Sequence, residues 1–397
     1  MRTVVILLCC SVWMSCSNYP GVPQEYHTLL DSALAKSGEN RTELEKALSE
    51  APASQKEGVA FLISYMPKRD LISMGSTYLL NNVDLAYKAR NRFPWAKSVP
   101  NEVFLNDVLP YASLNETRDD WRGDFYERFA PHVEGCTTLK EAIEAVNKNI
   151  RNEVKVEYNT RRRKPDQSPS ESMEIGMASC SGLSILLTDA LRAVGIPSRI
   201  AGTANWHDNR GNHTWSEVWL AGQWYFTEYY FNELDRAWFL ADAGRAKPGN
   251  RDYAVWASSF MPTGTSFPLV WDHRIDYVPA VDVSQHYIDV YKEVFEKRMA
   301  DGNHVTLRVL LFKDKKHARH SEDRIKVNVD IFQGEDQVGG GSTAGPTQDM
   351  NDVLEFLVEK NREYTLKYFP PGLAKEKVVK VAGEPVKVTL YAAAKEE

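Results

Sequence analysis

The chain has 397 residues, long for one typical domain, so two or three are expected. Apolar residues make up 43%, enough for ordinary globular cores. The formal net charge of −6 leaves no basic surface for phosphate backbones, so no nucleic-acid partner is expected.

The first segment places Arg2 before a short apolar run that ends in Ser15 and Cys16. This predicts a secretory signal over residues 1–15, too short to stay as a membrane-spanning helix. Its loss takes the charge from −6 to −7, because Arg2 is its one charged residue. Its end resembles a bacterial lipoprotein signal, with Cys16 as the lipidated residue and Trp13 uncommon at its position. That resemblance implies export across the inner membrane. It also implies a lipid anchor in the cell envelope, at the outer membrane or periplasmic face. The mature chain then keeps two further cysteines, Cys136 and Cys180. A disulfide between them would silence a nucleophile, so Cys136 is expected to be buried and free.

Residues 16–135 read as a helical N-terminal region. Helix-spaced apolar residues occur over 26–34, 43–48 and 58–65, and again over 139–150. Phe93, Trp95, Phe104, Tyr111 and Trp121 read as core anchors, with lining of a groove as the alternative. The run Arg161-Arg162-Arg163-Lys164, followed by Pro165 and Ser168, reads as a polar, mobile loop. The functional alternative is a surface that meets an acidic substrate or an anionic membrane.

Cys180 opens the most informative stretch. Leu183, Leu186, Leu187, Leu191 and Val194 give a helix one buried face, and Gly195 with Pro197 ends it. Cys180 then lies at the helix N-terminus, where unpaired N–H groups and the macrodipole favour a thiolate. Gly176 and Gly182 bracket it and are expected to leave room for a substrate backbone. Residues 213–220 alternate as a strand, with His213, Trp215, Glu217 and Trp219 on one face. Ala221-Gly222 reads as a turn. A two-residue loop sets Trp219 opposite Trp224 and Glu228 one diagonal step from His213. Thiol, imidazole and carboxylate in this order suit a cysteine nucleophile site. Glu217, Glu233, Asp235 and Asp242 are competing acids. The Cys180 N–H is one oxyanion donor.

Three motifs carry a resemblance. They are Cys180 at a helix start, Leu191-Arg192-Ala193-Val194-Gly195-Ile196-Pro197-Ser198-Arg199, and Asn212-His213-Thr214-Trp215-Ser216-Glu217-Val218-Trp219. The stretch 174–242 resembles the core of the transglutaminase-like superfamily, whose members include crosslinking transglutaminases, cysteine proteases and peptide N-glycanases. The resemblance implies an α+β chain with a papain-like core at 136–295. It implies Cys180 as nucleophile, His213 as general base and acid, and Glu228 where the superfamily usually has aspartate. Residues 234–239 and 267–271 are more loosely similar to secreted bacterial members.

His273 and His286 lack metal-ligand spacing, so no metal site or cofactor is expected. From residue 304 the pattern changes to alternating strands over 305–312, 325–332, 362–368, 377–381 and 386–391. Residues 339–345 read as a flexible glycine loop. Residues 296–397 are therefore expected to form a C-terminal β-sandwich of immunoglobulin or transthyretin type. The expected activity is attack on an amide of a protein, peptide or glycopeptide through a thioester, ending most readily in hydrolysis. Transamidation and a non-catalytic scaffold role are the alternatives.

Overall fold

The computed structural model describes residues 19–231, 233–349 and 351–393. Cys16 and the expected signal lie outside them. The protein mixes helix and sheet, and among the described residues no helix is long and apolar enough to cross a membrane.

The chain divides into two compact units, up to Asp84 and from Leu85 onward. In the first, the helices His27–Lys36, Arg41–Glu50 and Lys56–Tyr65 bury Leu30, Leu34, Leu44, Leu48, Phe61 and Leu62. The expected boundary at 135/136 does not divide the structure. Trp121, Phe125 and Phe129 share one core with Leu183, Leu187 and Leu191, so residues ahead of 136 fold with the Cys180 helix. The boundary at 295/296 also fails, because the helix Ser284–Ala300 runs through it.

The second unit is built on a five-stranded antiparallel sheet. Its strand order is Gln223–Thr227, His213–Leu220, Ser198–Thr203, Trp256–Ser258 and Ala280–Asp282. The helix Cys180–Ala193 packs on one face. Along its contact with the strand His213–Leu220 lie small hydroxyl side chains. Ser181 Oγ donates to Thr214 Oγ1 at 3.1 Å, and Thr188 and Ser216 share a bond of 3.1 Å. These pairs satisfy buried hydroxyls while letting helix and strand approach closely. On the other face, Trp215 and Phe226 meet Tyr287 of the helix Ser284–Ala300.

The motif arginines serve the framework. Arg192 is buried and donates to the carbonyls of Asp107, Ala112 and Ser198. Arg199 donates to Glu217 Oε2 at 2.7 Å and lies over the Trp224 ring. The aromatic anchors Phe93, Trp95, Phe104, Tyr111 and Trp121 are all buried.

The C-terminal strands form a four-stranded and a three-stranded sheet. Leu307, Val309 and Leu311 of one share an apolar core with Val329, Ile331, Leu366 and Val381 of the other. The glycine run is not a loop. Gly339, Gly340 and Gly341 sit in the strand Asp336–Ser342, paired to Asn328–Gln333. The reason is steric: a Cβ on Gly341 would overlap the Leu354 side chain, and one on Gly339 would crowd Ile331 at 3.1 Å. Gly341→Val is therefore expected to destabilise this region by about 1–3 kcal/mol through overpacking, read as a lower urea midpoint.

Candidate active site

Cys180 is the first residue of its helix. The preceding Ser179 caps it, accepting the Gly182 N–H at 3.1 Å. The helix start lies against the start of the strand His213–Leu220, where the Thr214 N–H donates to the Cys180 sulfur. The expected room beside the cysteine is absent at Gly182. A Cβ there would meet Ala178 at 3.0 Å, so this glycine lets the protein pack on itself. Gly176, at φ +64°, ends the helix Pro169–Ile175 and turns the chain toward Cys180.

The hairpin has the two-residue turn read from sequence. Ala221 and Gly222 both have positive φ, as a type I′ turn requires, and Trp219 pairs with Trp224. The ladder ends at Ser216 opposite Thr227, which sets Glu228 one position further on. From there Glu228 Oε1 lies 2.9 Å from His213 Nε2. The histidine also hydrogen-bonds the Cys180 sulfur. Because Nε2 is held by the carboxylate, Nδ1 is the nitrogen left to face the thiol. Sequence-predicted thiol, imidazole and acid thus come together in one chain of hydrogen bonds.

The competing acids are engaged elsewhere. Glu217 accepts from Arg199 and from the Tyr287 hydroxyl. Asp235 Oδ1 accepts the Phe226 N–H, Asp242 pairs with Arg210 and Glu233 with Arg236. His273 is exposed and His286 half-buried. Cys136 is free, as expected, but half-buried rather than buried.

Sequence reading missed several residues that shape the site. Asn147, buried on the helix Leu139–Val154, donates to the Glu228 carbonyl at 2.6 Å and so fixes the backbone carrying the acid. Its signal is a polar residue within the apolar stripe of Ile143, Val146 and Ile150. Trp238, Phe239 and Trp206 pack around the His213 ring, with centroids 4.9, 5.3 and 6.1 Å away.

Electrostatics follow from this packing. Burial disfavours the imidazolium, but the hydrogen bonds and charges of Cys180 and Glu228 outweigh it and raise His213 to about 9. Burial likewise pushes the Cys180 thiol up. The His213 hydrogen bond and charge, with the Thr214 N–H and Ser181, pull it below its ordinary value. Thiolate and imidazolium therefore coexist from the depressed Cys180 value up to about pH 9. Cys180 keeps a solvent-facing side, and the His213 and Glu228 side chains are 14% and 18% exposed.

Among the described residues one group has metal-ligand geometry: His207, Asp208 and Asp242, with ligand atoms within 4.8 Å of one another. Arg210 already bridges the two carboxylates, at 2.7 Å to Asp208 and 2.5 Å to Asp242. Arg245 and Lys326 add further positive charge beside the group, each with a hydrogen bond to it. These residues form an ion-pair cluster that their own cations fill.

Residues 127–229, about a quarter of the chain, match the family model described as the transglutaminase-like superfamily. That span holds Cys180, His213 and Glu228. Among solved structures, the chain is similar to a protein of Cytophaga hutchinsonii proposed to be a cysteine protease. The identity is 16%, the TM-score 0.28, and the match covers 35% of this chain and 45% of that one. It is also similar to the transglutaminase of red sea bream, with 10% identity, a TM-score of 0.28, and coverage of 77% of this chain and 59% of that one. In both cases under two thirds of the other protein is spanned, and at these TM-scores neither likeness bears on the chemistry here. No curated protein matches the chain.

The pH dependence of Cys180 alkylation by iodoacetamide tests the site. In the native protein the midpoint is expected below the ordinary thiol value of about 8.5. In His213→Ala it is expected above that value, because burial then acts without the cation. Asn147→Ala is expected to raise the midpoint less, by loosening the Glu228 backbone.

Proposed function

We propose that the protein is a cysteine enzyme acting on amide bonds through Cys180, His213 and Glu228, with hydrolysis as its outcome. The observation that carries this reading is the hydrogen-bonded series from the helix-capped thiol through the imidazole to the carboxylate. The transglutaminase-like domain supports the same class.

In the mechanism the Cys180 thiolate attacks the amide carbon, and the carbonyl oxygen takes up negative charge. The Cys180 N–H, unpaired at the helix start, is placed to receive that charge. The tetrahedral species collapses as the His213 imidazolium gives its proton to the leaving amine, and a thioester remains. Neutral His213 then takes a proton from water as that water attacks the thioester carbon. Collapse frees the carboxylic product, and the cysteine sulfur leaves as thiolate beside the restored imidazolium. Glu228 holds the ring in orientation and favours the imidazolium throughout.

Two further parts of the reading belong here. The paired C-terminal sheets are read as a β-sandwich without catalytic groups of its own. Cys16 is read as a lipid-bearing residue that holds the enzyme in the bacterial envelope.

The test is a tryptic peptide library incubated in ¹⁸O-water with an added alkylamine. Hydrolysis is expected to produce new termini carrying ¹⁸O, and amine-bearing products would mark transamidation instead. Cys180→Ala and His213→Ala are each expected to lower turnover by at least about 10³-fold. A library left unchanged by the native protein would overturn the enzyme reading in favour of a binding protein. With a substrate in hand, kcat/KM is expected to fall as pH rises through about 9, where His213 loses its proton. Glu228→Gln is expected to move that limb down by about one to three pH units, because it removes a charge that raises the histidine.

A further inference from the structure

The nucleophile stands beside an arch of chain pinned on both sides to the residues that precede it. The Asn159 N–H donates to the Ala178 carbonyl at 2.9 Å. Ser179 Oγ donates to the Pro165 carbonyl, and Gln167 Nε2 donates to the Met177 carbonyl at 2.9 Å. Residues 159–167 are thus fastened at both ends to 177–179. The crown of the arch carries Arg161, Arg162, Arg163 and Lys164. Arg161 and Arg162 lie two and three residues from the Asn159 pin, at no more than about 3.8 Å of chain per residue.

The charges on this arch divide into matched and unmatched. Arg163 pairs with Glu174 at 2.7 Å and Lys164 with Glu171 at 2.9 Å. Nearby, Arg151 pairs with Glu157 at 2.6 Å, and Glu228 is taken up by His213. Glu157, Glu171, Glu174 and Glu228 thus each have a cationic partner, while Asp166, buried on the arch, accepts from the Asn115 amide. The side chains of Arg161 and Arg162 have no acidic partner among the described residues, and Arg161 is exposed. In a chain of net charge −6, two guanidinium groups without an acidic partner stand on an arch pinned to the three residues that precede Cys180. Next to them Tyr158 and Tyr230 are 51% and 40% exposed, joined by the Tyr158 N–H donating to the Tyr230 hydroxyl at 3.0 Å.

We infer that the amide substrate of Cys180 is an acidic peptide, whose carboxylates beside the scissile bond are bound by Arg161 and Arg162. The inference rests on the nucleophile reading above and adds the substrate class to it. Guanidinium groups suit the role because they stay charged and offer carboxylates two parallel donors. Their place before the nucleophile lets them hold the peptide while the amide reaches the thiolate.

Two alkylating probes of equal size separate this inference from the reading beneath it. Iodoacetate carries a carboxylate and iodoacetamide does not. The ratio of their rates at Cys180 is expected to fall roughly two- to four-fold in R161Q/R162Q at low salt, and the difference to shrink as salt rises. Hexaglutamate is expected to protect Cys180 of the native protein from iodoacetamide better than hexaglutamine does, and to lose that advantage in R161Q/R162Q. An unchanged rate ratio, or equal protection by both peptides, overturns the inference and leaves the nucleophile intact. Absence of alkylation at Cys180 by either probe removes the nucleophile reading itself, and the inference with it. Binding to phosphatidylglycerol vesicles that the double variant loses, without protection by hexaglutamate, overturns the acidic peptide and assigns the arch to a membrane surface.

Discussion

The structure depends most on the close seating of the Cys180 helix against the His213 strand. Thiol and imidazole belong to different elements, separated by more than thirty residues of chain. They meet because Ser181 and Thr188 present small hydroxyls to Thr214 and Ser216, Ser216 Oγ also reaches the Ser184 carbonyl, and larger residues there would hold helix and strand apart. The same helix turns Leu183, Leu187 and Leu191 toward the helices before it, which keeps it from sliding. Burial thus fixes the helix on one side and hydrogen-bonding shape fixes it on the other. The thiol inherits its position from both.

That seating sets up a contest between desolvation and charge pairing. Taken singly, burial would keep the cysteine as a thiol and the histidine neutral. Taken together, each supplies the opposite charge that the other lacks, and Glu228 shifts the balance further toward the ion pair. The pair is therefore a property of the assembled site. Removing His213 raises the cysteine, and removing Cys180 or Glu228 lowers the histidine.

The parts of this site that could be read from sequence are those encoded within short reach. The apolar spacing after Cys180, the stop at Gly195 and the two-residue turn at Ala221-Gly222 each specify geometry locally, and the turn alone sets the register that delivers Glu228. Asn147 could not be read this way, because its partner lies 81 residues further along and its own helix shows a polar residue without a stated purpose. Trp238 and Trp206 escaped for the same reason, as their meeting at the His213 ring is made by tertiary packing. The glycines at 339–341 misled because missing side chains signal flexibility in isolation, whereas here Leu354 fills the space at Gly341, and Ile331 and Phe356 that at Gly339. The domain limit at 135/136 misled because a change in helical texture does not show which core a helix joins.

Glu228 stands just beyond the last paired residue of its strand and reaches the imidazole across a diagonal of the hairpin. A glutamate reaches about one carbon–carbon bond, ~1.5 Å, further than an aspartate. The extra methylene therefore works as a spacer between this hairpin and this ring. An aspartate in its place would keep the chemistry and lose the span. Exchanging glutamate for aspartate without moving the hairpin would disconnect the carboxylate from the ring it orients.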